Sequence, residues 1–243
     1  MAPIVPNKKI PYGLTQETAQ VFLAISQLKC IKGLYLCGGT AQSIQMNHRL
    51  SEDLDFELID TRKDRPELDF TGIIGEVKAV FPDAKTEILG QDYFCIYINE
   101  NKVKLSFFKP ENPVKHIHEG YRFNNIVTPS LQDLLGMKLF TICTRNVTRD
   151  YYDIYCLLKQ GYNLVEGISY ASYLSRHSFK SKHILTKLIT SELYPINPDF
   201  LKMQPRQNVT AEEIKKEMLL AITKENLLSK VIQPKKTHGS PKF

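Results

Sequence analysis

The 243-residue chain has no Cys-x-x-Cys pair, no internal repeat and no apolar run long enough to cross a bilayer. A helical membrane span is thereby excluded, and the opening MAPIVPNKKIPYG lacks the long apolar core of a secretory signal. Its five cysteines (Cys30, Cys37, Cys95, Cys143, Cys156) are an odd number with mostly apolar neighbours, which argues for buried thiols in a reducing compartment rather than a disulfide framework. A cytoplasmic protein is expected. Charge of one sign is not abundant either: 32 Lys and Arg against 26 Asp and Glu leave +6, which permits a polyanionic partner without requiring one. What remains is an ordinary globular composition, 42% hydrophobic and 24% charged, in a chain long enough for one large domain or for a core with a helical appendage.

The most informative stretch is Leu34 to Leu58, LYLCGGTAQSIQMNHRLSEDLDFEL. Leu34 to Cys37 suits a buried strand, and Gly38-Gly39 lets the backbone turn tightly and approach a ligand. Thr40 is expected to cap a short helix, whose first N–H groups would converge where a phosphate could sit. Asp53, Asp55 and Glu57 alternate with Leu54, Phe56 and Leu58, so on a strand the acids share one face. Adjacent carboxylates repel unless a cation lies between them. Magnesium, or manganese in its place, answers that need and completes its shell with water and substrate phosphates, as in a bound nucleoside triphosphate.

Thr15 to Lys29 and Asp69 to Phe81 have helical apolar spacing, and Pro82 closes the second. The charged segment TRKDRPEL reads as an exposed loop. Thr86 to Leu89, Tyr93 to Ile98 and Val103 to Phe108 read as strands, the last two as a hairpin. Lys109 to Asn125 reads as a long loop bordering the site, with His116 and His118 as loop histidines. Ser130 and Asp133 signal a helix start, and Lys138 falls inside that helix. A second helix opens at Arg149-Asp150-Tyr151-Tyr152-Asp153, where Asp150 and Asp153 share a face and Arg149 could pair with Asp153. Tyr151, Tyr152 and Tyr155 read as core aromatics. Further helices are expected over Asn163 to Arg176 and Lys180 to Leu193, and from the Thr210/Glu213 capping box through Leu227 and Leu228. The tail PKKTHGSPKF is basic and rich in breakers. Lys180, Lys182, His183, Lys187, Lys215, Lys216, Lys235 and Lys236 read as solvated charges, with an RNA-binding face as the sharper alternative.

Two motifs, Gly38-Gly39-Thr40 with Ser51-Glu52-Asp53-Leu54-Asp55-Phe56, and Lys138 with Arg149-Asp150-x-x-Asp153, resemble those of the AbiEii/AbiGii toxin group of the DNA polymerase β-like nucleotidyltransferases. The resemblance spans residues 34 to 158. It implies an α/β fold, a small mixed twisted sheet flanked by helices, followed by a helical C-terminal region. The corresponding division is a nucleotidyltransferase core over residues 1–127, a helical region over 128–233 and a basic disordered tail over 234–243. The implied activity moves a nucleoside monophosphate from a nucleoside triphosphate to an acceptor hydroxyl. Asp53 and Asp55 would hold magnesium, Gly38, Gly39, Thr40 and Ser51 would receive the phosphates, and Lys138 would neutralise charge. Asp150 and Asp153 would orient groups or serve as base. The resemblance further implies a toxin paired with an antitoxin, with tRNA as acceptor in some members.

One departure stands out. Enzymes of the wider fold carry a third carboxylate on the strand beside the Asp-x-Asp strand, and Val103-Lys104-Leu105-Ser106-Phe107-Phe108 offers Ser106 there. Serine is a poor magnesium ligand and no strong base. Two rival readings follow: a nucleotide-binding protein with weak or lost catalysis, and a nucleotidyltransferase acting on protein hydroxyls.

Overall fold

The computed structural model describes residues 11–58, 67–100, 102–110, 118–190 and 198–227. Helix α1 (Gln16–Ile25) is capped by Thr15, whose hydroxyl accepts from the Thr18 N–H, and it buries Val21, Phe22 and Ile25. Strand β1 (Leu34–Cys37) leads directly into α2 (Gly38–Met46), which ends at Asn47 in the left-handed conformation. Strand β2 (Leu54–Leu58), α3 (Phe70–Val80), β3 (Lys85–Ile88), β4 (Tyr93–Ile98) and β5 (Val103–Phe108) follow. Strands β6 (Glu119–Phe123) and β7 (Ile126–Pro129) complete one seven-stranded mixed sheet in the order β3-β4-β5-β2-β1-β7-β6. At its centre β2 runs parallel to β5 and antiparallel to β1.

The alternation in β2 decides the two faces of the sheet. Leu54, Phe56 and Leu58 enter a core with Phe22, Ile73, Val77 and Leu105, where the Phe56, Phe107 and Phe94 rings stack at centroid distances of 5.3 and 5.0 Å. Asp55 and Glu57 face the other way, toward the helices that come next. These are α4 (Leu131–Thr144), α5 (Thr148–Lys159), α6 (Leu164–Leu174), α7 (Ser181–Ile189), the short α8 (Pro198–Lys202) and α9 (Ala211–Lys224). They enclose a second apolar core containing Leu135, Leu139, Tyr151, Tyr152, Tyr155, Ile168, Leu188 and Met218. Helix α4 serves both cores, with Leu134 in the first and Leu135 in the second. Ser130 caps it, accepting from the Asp133 N–H, and Thr210 and Glu213 form the expected capping box on α9.

Three expectations need correction. The stretch expected as a loop through Asn125 contains β6, paired antiparallel with β7 around Asn124, which has φ +52°. Glu-Gly-Tyr-Arg-Phe has no alternation because β6 is an edge strand solvated along most of its length. Thr40 is not the cap of α2; Cys37 occupies that position without a side-chain hydrogen bond, and Thr40 lies in the first turn. Helix α9 stops at Lys224, before Leu227. Most of TRKDRPEL, His116, Leu228 and the basic tail lie outside the described residues.

Leu135 is fully buried and its side chain meets α6 at Gly167. Leu135→Ala should cost about 2–5 kcal/mol of unfolding free energy in urea titrations, because the packed helices can close only part of the space left behind.

Candidate active site

Register across the sheet places Cys95, Ser106, Asp55 and Cys37 in one row over β4, β5, β2 and β1. Glu57 lies one step further along β2 on the same face, and Asp53 immediately precedes the strand. Asp53 is partly exposed and sits 3.5 Å from the Lys104 ammonium. Glu57 is buried and accepts a hydrogen bond from the Cys37 thiol at 3.4 Å. Burial raises its carboxyl pKa to about 7. The thiol itself is pushed well up by burial, then by Glu57, so it stays a donor.

The two glycines beside this row are demanded by their neighbours. Gly38 has φ +68°, and a Cβ there would lie 3.1 Å from Asp55 Oδ2. At Gly39 a Cβ would run into the guanidinium of Arg49. Thr40 donates its hydroxyl to Ser51 Oγ at 2.7 Å and approaches the Asp53 carbonyl, tying the start of α2 to the segment entering β2.

Behind the glycine turn lies a buried ion cluster. Asp153 is fully buried: its Oδ1 accepts from Arg49 Nε at 2.7 Å and His48 Nε2 at 2.8 Å, and its Oδ2 accepts from Arg49 Nη2 at 2.9 Å and lies 2.6 Å from Lys138 Nζ. Asp150 meets Lys138 at 2.8 Å and Arg145 at 2.8 and 3.1 Å. Burial opposes charge on both acids, but the cations prevail: Arg49 and Lys138 hold Asp153 well below the usual carboxylate range, and Lys138 and Arg145 lower Asp150. Burial lowers the His48 pKa, so its contact with Asp153 is a hydrogen bond from a neutral ring. Arg149, expected as a partner for Asp153, instead lines the cavity described below.

The turn carrying His48, Arg49 and Ser51 is held from two sides. Ser51 N–H donates to the Gly13 carbonyl at 2.9 Å. From the opposite side, Leu50 N–H donates to the Met203 carbonyl at 2.7 Å and Arg206 N–H to the His48 carbonyl at 2.8 Å.

A cavity of about 640 Å³ opens between the acidic sheet face and α4. Its walls include Gly38, Gly39, Thr40, Ser51, Asp53, Asp55 and Lys138, so these sequence-selected residues converge on one space. Asp150 and Asp153 stand behind the wall. The walls also hold Glu57, the third acid of the β2 face, and Arg149 of the downstream motif, together with Arg49, Lys104 and Arg145, which were not assigned to this space from sequence, and the side chains Tyr93, Phe108, Met137 and Phe140. Arg49 stands four residues before the Asp-x-Asp pair, but nothing in the local sequence marks it as buried. His118 is exposed and lies against Asp133 instead, its backbone N–H donating to that carboxylate at 2.7 Å.

A mixed sheet with a glycine turn, paired acids and a cationic wall matches the arrangement expected of a nucleotidyltransferase. Comparison with known proteins supplies the particular group. The model of the family described as "Nucleotidyl transferase AbiEii toxin, Type IV TA system" matches residues 22–227, and the chain belongs to that family. It is 27% identical over 154 residues, 63% of this chain and 71% of the other, to the uncharacterized protein aq_aa25 of Aquifex aeolicus (strain VF5). Its fold is similar to that of MenT4, a nucleotidyltransferase toxin from Mycobacterium tuberculosis H37Rv, with a TM-score of 0.54 at 13% identity over 84% of this chain and 82% of that one.

Asp153→Asn leaves Arg49 and Lys138 buried with too little negative charge, and should destabilise the protein by about 3–5 kcal/mol in denaturant titration. Asp55→Asn, at a partly exposed site, should cost far less. Glu57, whose pKa is raised on folding from 4.5 to about 7, contributes stability that is fully present below pH 4.5 and lost as pH rises through 7. Glu57→Gln removes that dependence, so in chelator the variant should gain about 3 kcal/mol on native protein between pH 4.5 and 8.

Proposed function

We propose that the chain transfers a nucleoside monophosphate from a nucleoside triphosphate to an acceptor hydroxyl, with a divalent cation, as the toxin of a toxin–antitoxin pair. The supporting observation is the convergence on one cavity of the helix start at Gly38–Thr40, the Asp53 and Asp55 carboxylates and the Lys138 ammonium. Two carboxylates facing open space, with no cluster of three or more His, Cys, Asp or Glu among the described residues, form a hard, incomplete oxygen donor set. That set fits magnesium or manganese, which take water and phosphate oxygens for the remainder, and would not satisfy a closed zinc site. The ion would supply charge neutralisation between the carboxylates and the phosphates.

In this reading Gly38, Gly39 and Thr40 present N–H groups to the triphosphate, and Ser51 is fixed against it through Thr40. Lys138 offsets phosphate charge from the α4 side. Asp150 and Asp153 act on the reaction indirectly: they hold Lys138 and Arg49 in place, and their ion pairing suits them to orientation rather than to taking a proton. The acceptor oxygen bonds to the α-phosphorus as the bond to the β-phosphate breaks, pyrophosphate leaves, and the hydroxyl proton passes to water in the open cavity. The core and helical divisions at residue 127/128 both contribute, the first with the acids and the second with Lys138. A tRNA is the acceptor proposed from the family, and a cognate antitoxin the proposed protein partner.

Ser106, standing beside Asp55 in register, supports a second reading in which nucleotide is bound with little or no turnover. One experiment separates the readings. Native protein and Asp55→Ala are incubated with magnesium, each α-labelled nucleoside triphosphate in turn and total tRNA. Transfer predicts label on RNA with the native chain and at least about a 100-fold loss in the variant. Label on protein instead identifies a protein hydroxyl as acceptor, and nucleotide binding without label supports the second reading.

A further inference from the structure

Strand β3 ends the sheet, and among the described residues no strand pairs with its outer side. The Leu89 N–H donates to the Tyr93 carbonyl at 3.0 Å, and further along Glu87 is level with Cys95 and Lys85 with Tyr97. These alternate residues therefore turn their backbone groups toward β4. Thr86 and Ile88 turn theirs outward, where no described residue bonds them. Such edges are commonly blunted by lysine or proline, but here Lys85 is answered by Glu87, exposed on the same face two residues on. Ile88, on the other face, is 64% exposed.

The order of these side chains selects what can lie against them. An antiparallel second copy must set outward residues against outward residues, which leaves only a few two-fold registers. With the axis on Thr86, each Thr86 donates its N–H to the other's carbonyl, and Lys85 of each copy stands opposite the partner's Glu87. Residues paired this way, between the backbone bonds, have Cα atoms only about 4.5 Å apart, so their side chains meet. Moving the axis one residue either way sets Lys85 against the partner's Lys85, or Glu87 against the partner's Glu87. An axis on Ile88 runs the pairing into the bend at Gly90. The Thr86 register matches opposite charges twice and also brings Ile88 against the partner's Ala84.

We propose that β3 is the interface of a homodimer, two copies joined antiparallel about a two-fold axis at Thr86 into one continuous sheet. A strand of another protein would meet the same backbone groups, but the self-complementary charge order favours a copy of this chain. Glu87 lies in one row with Cys95, Ser106 and Asp55, so the charged pairs are on the cavity face. Both cavities of the dimer consequently open on the same face, each Asp55 three strands in from β3, about 14 Å. The contact is one short strand a side, smaller than a standard interface, which suits a dissociation constant of about 10–100 µM. Its formation does not depend on the reaction proposed above.

Sedimentation velocity of the full chain, over a series spanning the micromolar range, reads the assembly directly. Native protein should pass from monomer to dimer as concentration rises. Lys85→Glu and Glu87→Lys each set like charges opposite one another twice, and should weaken self-association at least about tenfold. An equimolar mixture of these two variants should restore it, as should the double exchange Lys85→Glu/Glu87→Lys, because both again place lysine against glutamate. Thr86→Pro removes an outward N–H without touching the β4 ladder, and should leave monomer alone. Thermal melting of each variant establishes folding. Native monomer throughout the series, a dimer indifferent to the single exchanges, a Thr86→Pro dimer, or a mixture that stays monomeric would each overturn the interface.

Discussion

The carboxylate of Asp153 is fully inside the protein and yet holds contacts with Arg49, Lys138 and His48. Three stretches of chain far apart in sequence meet on it: the turn after α2, the middle of α4 and the first turns of α5. A lone charge so placed would be prohibitively costly, and so would either cation without it. The group is therefore stable only when all its members are present, which makes it a register for the whole site. Gly39 carries the same logic to the backbone, because the guanidinium that pairs with Asp153 also occupies the space a side chain would need.

From this buried cluster the site reads outward in order of decreasing constraint. The cluster fixes Arg49 and Lys138; Thr40 and Ser51 tie α2 to β2; the acids on β2 are positioned by the central strand pairing and left partly open to the cavity. The tightly held parts lie on the α2 side. The β5 side, with Lys104 and Tyr93 partly exposed, is more open.

Much of this was legible in the chain. Alternating acids and apolar residues in β2 set two faces whatever the surrounding fold, and local capping signals at Thr15, Ser130 and Thr210 mark helix starts correctly. The glycine turn and Lys138 were found because their chemistry matches a known arrangement. Arg49 and His48 were not, since a cation and an imidazole just past a helix look like solvated surface until the acid that buries them, more than a hundred residues away, is placed. Glu57 read only as a third member of an alternating face; its burial depends on how closely α4 approaches. Strand β6 failed for the opposite reason, being a solvated edge whose pairing comes from β7 and not from any pattern of its own.

The turn bearing Arg49 is gripped by residue 13 on one side and residues 203 and 206 on the other. Synthesis runs from the first of these to the last, so the acids and the glycine turn leave the ribosome long before the carbonyl of Met203 exists to receive Leu50. A growing chain can form the sheet and still lack the grip that seats Arg49 beneath Gly39. The seat of Arg49 thus becomes complete only once residues 203 and 206 have been made, an ordering in time that follows from two backbone hydrogen bonds.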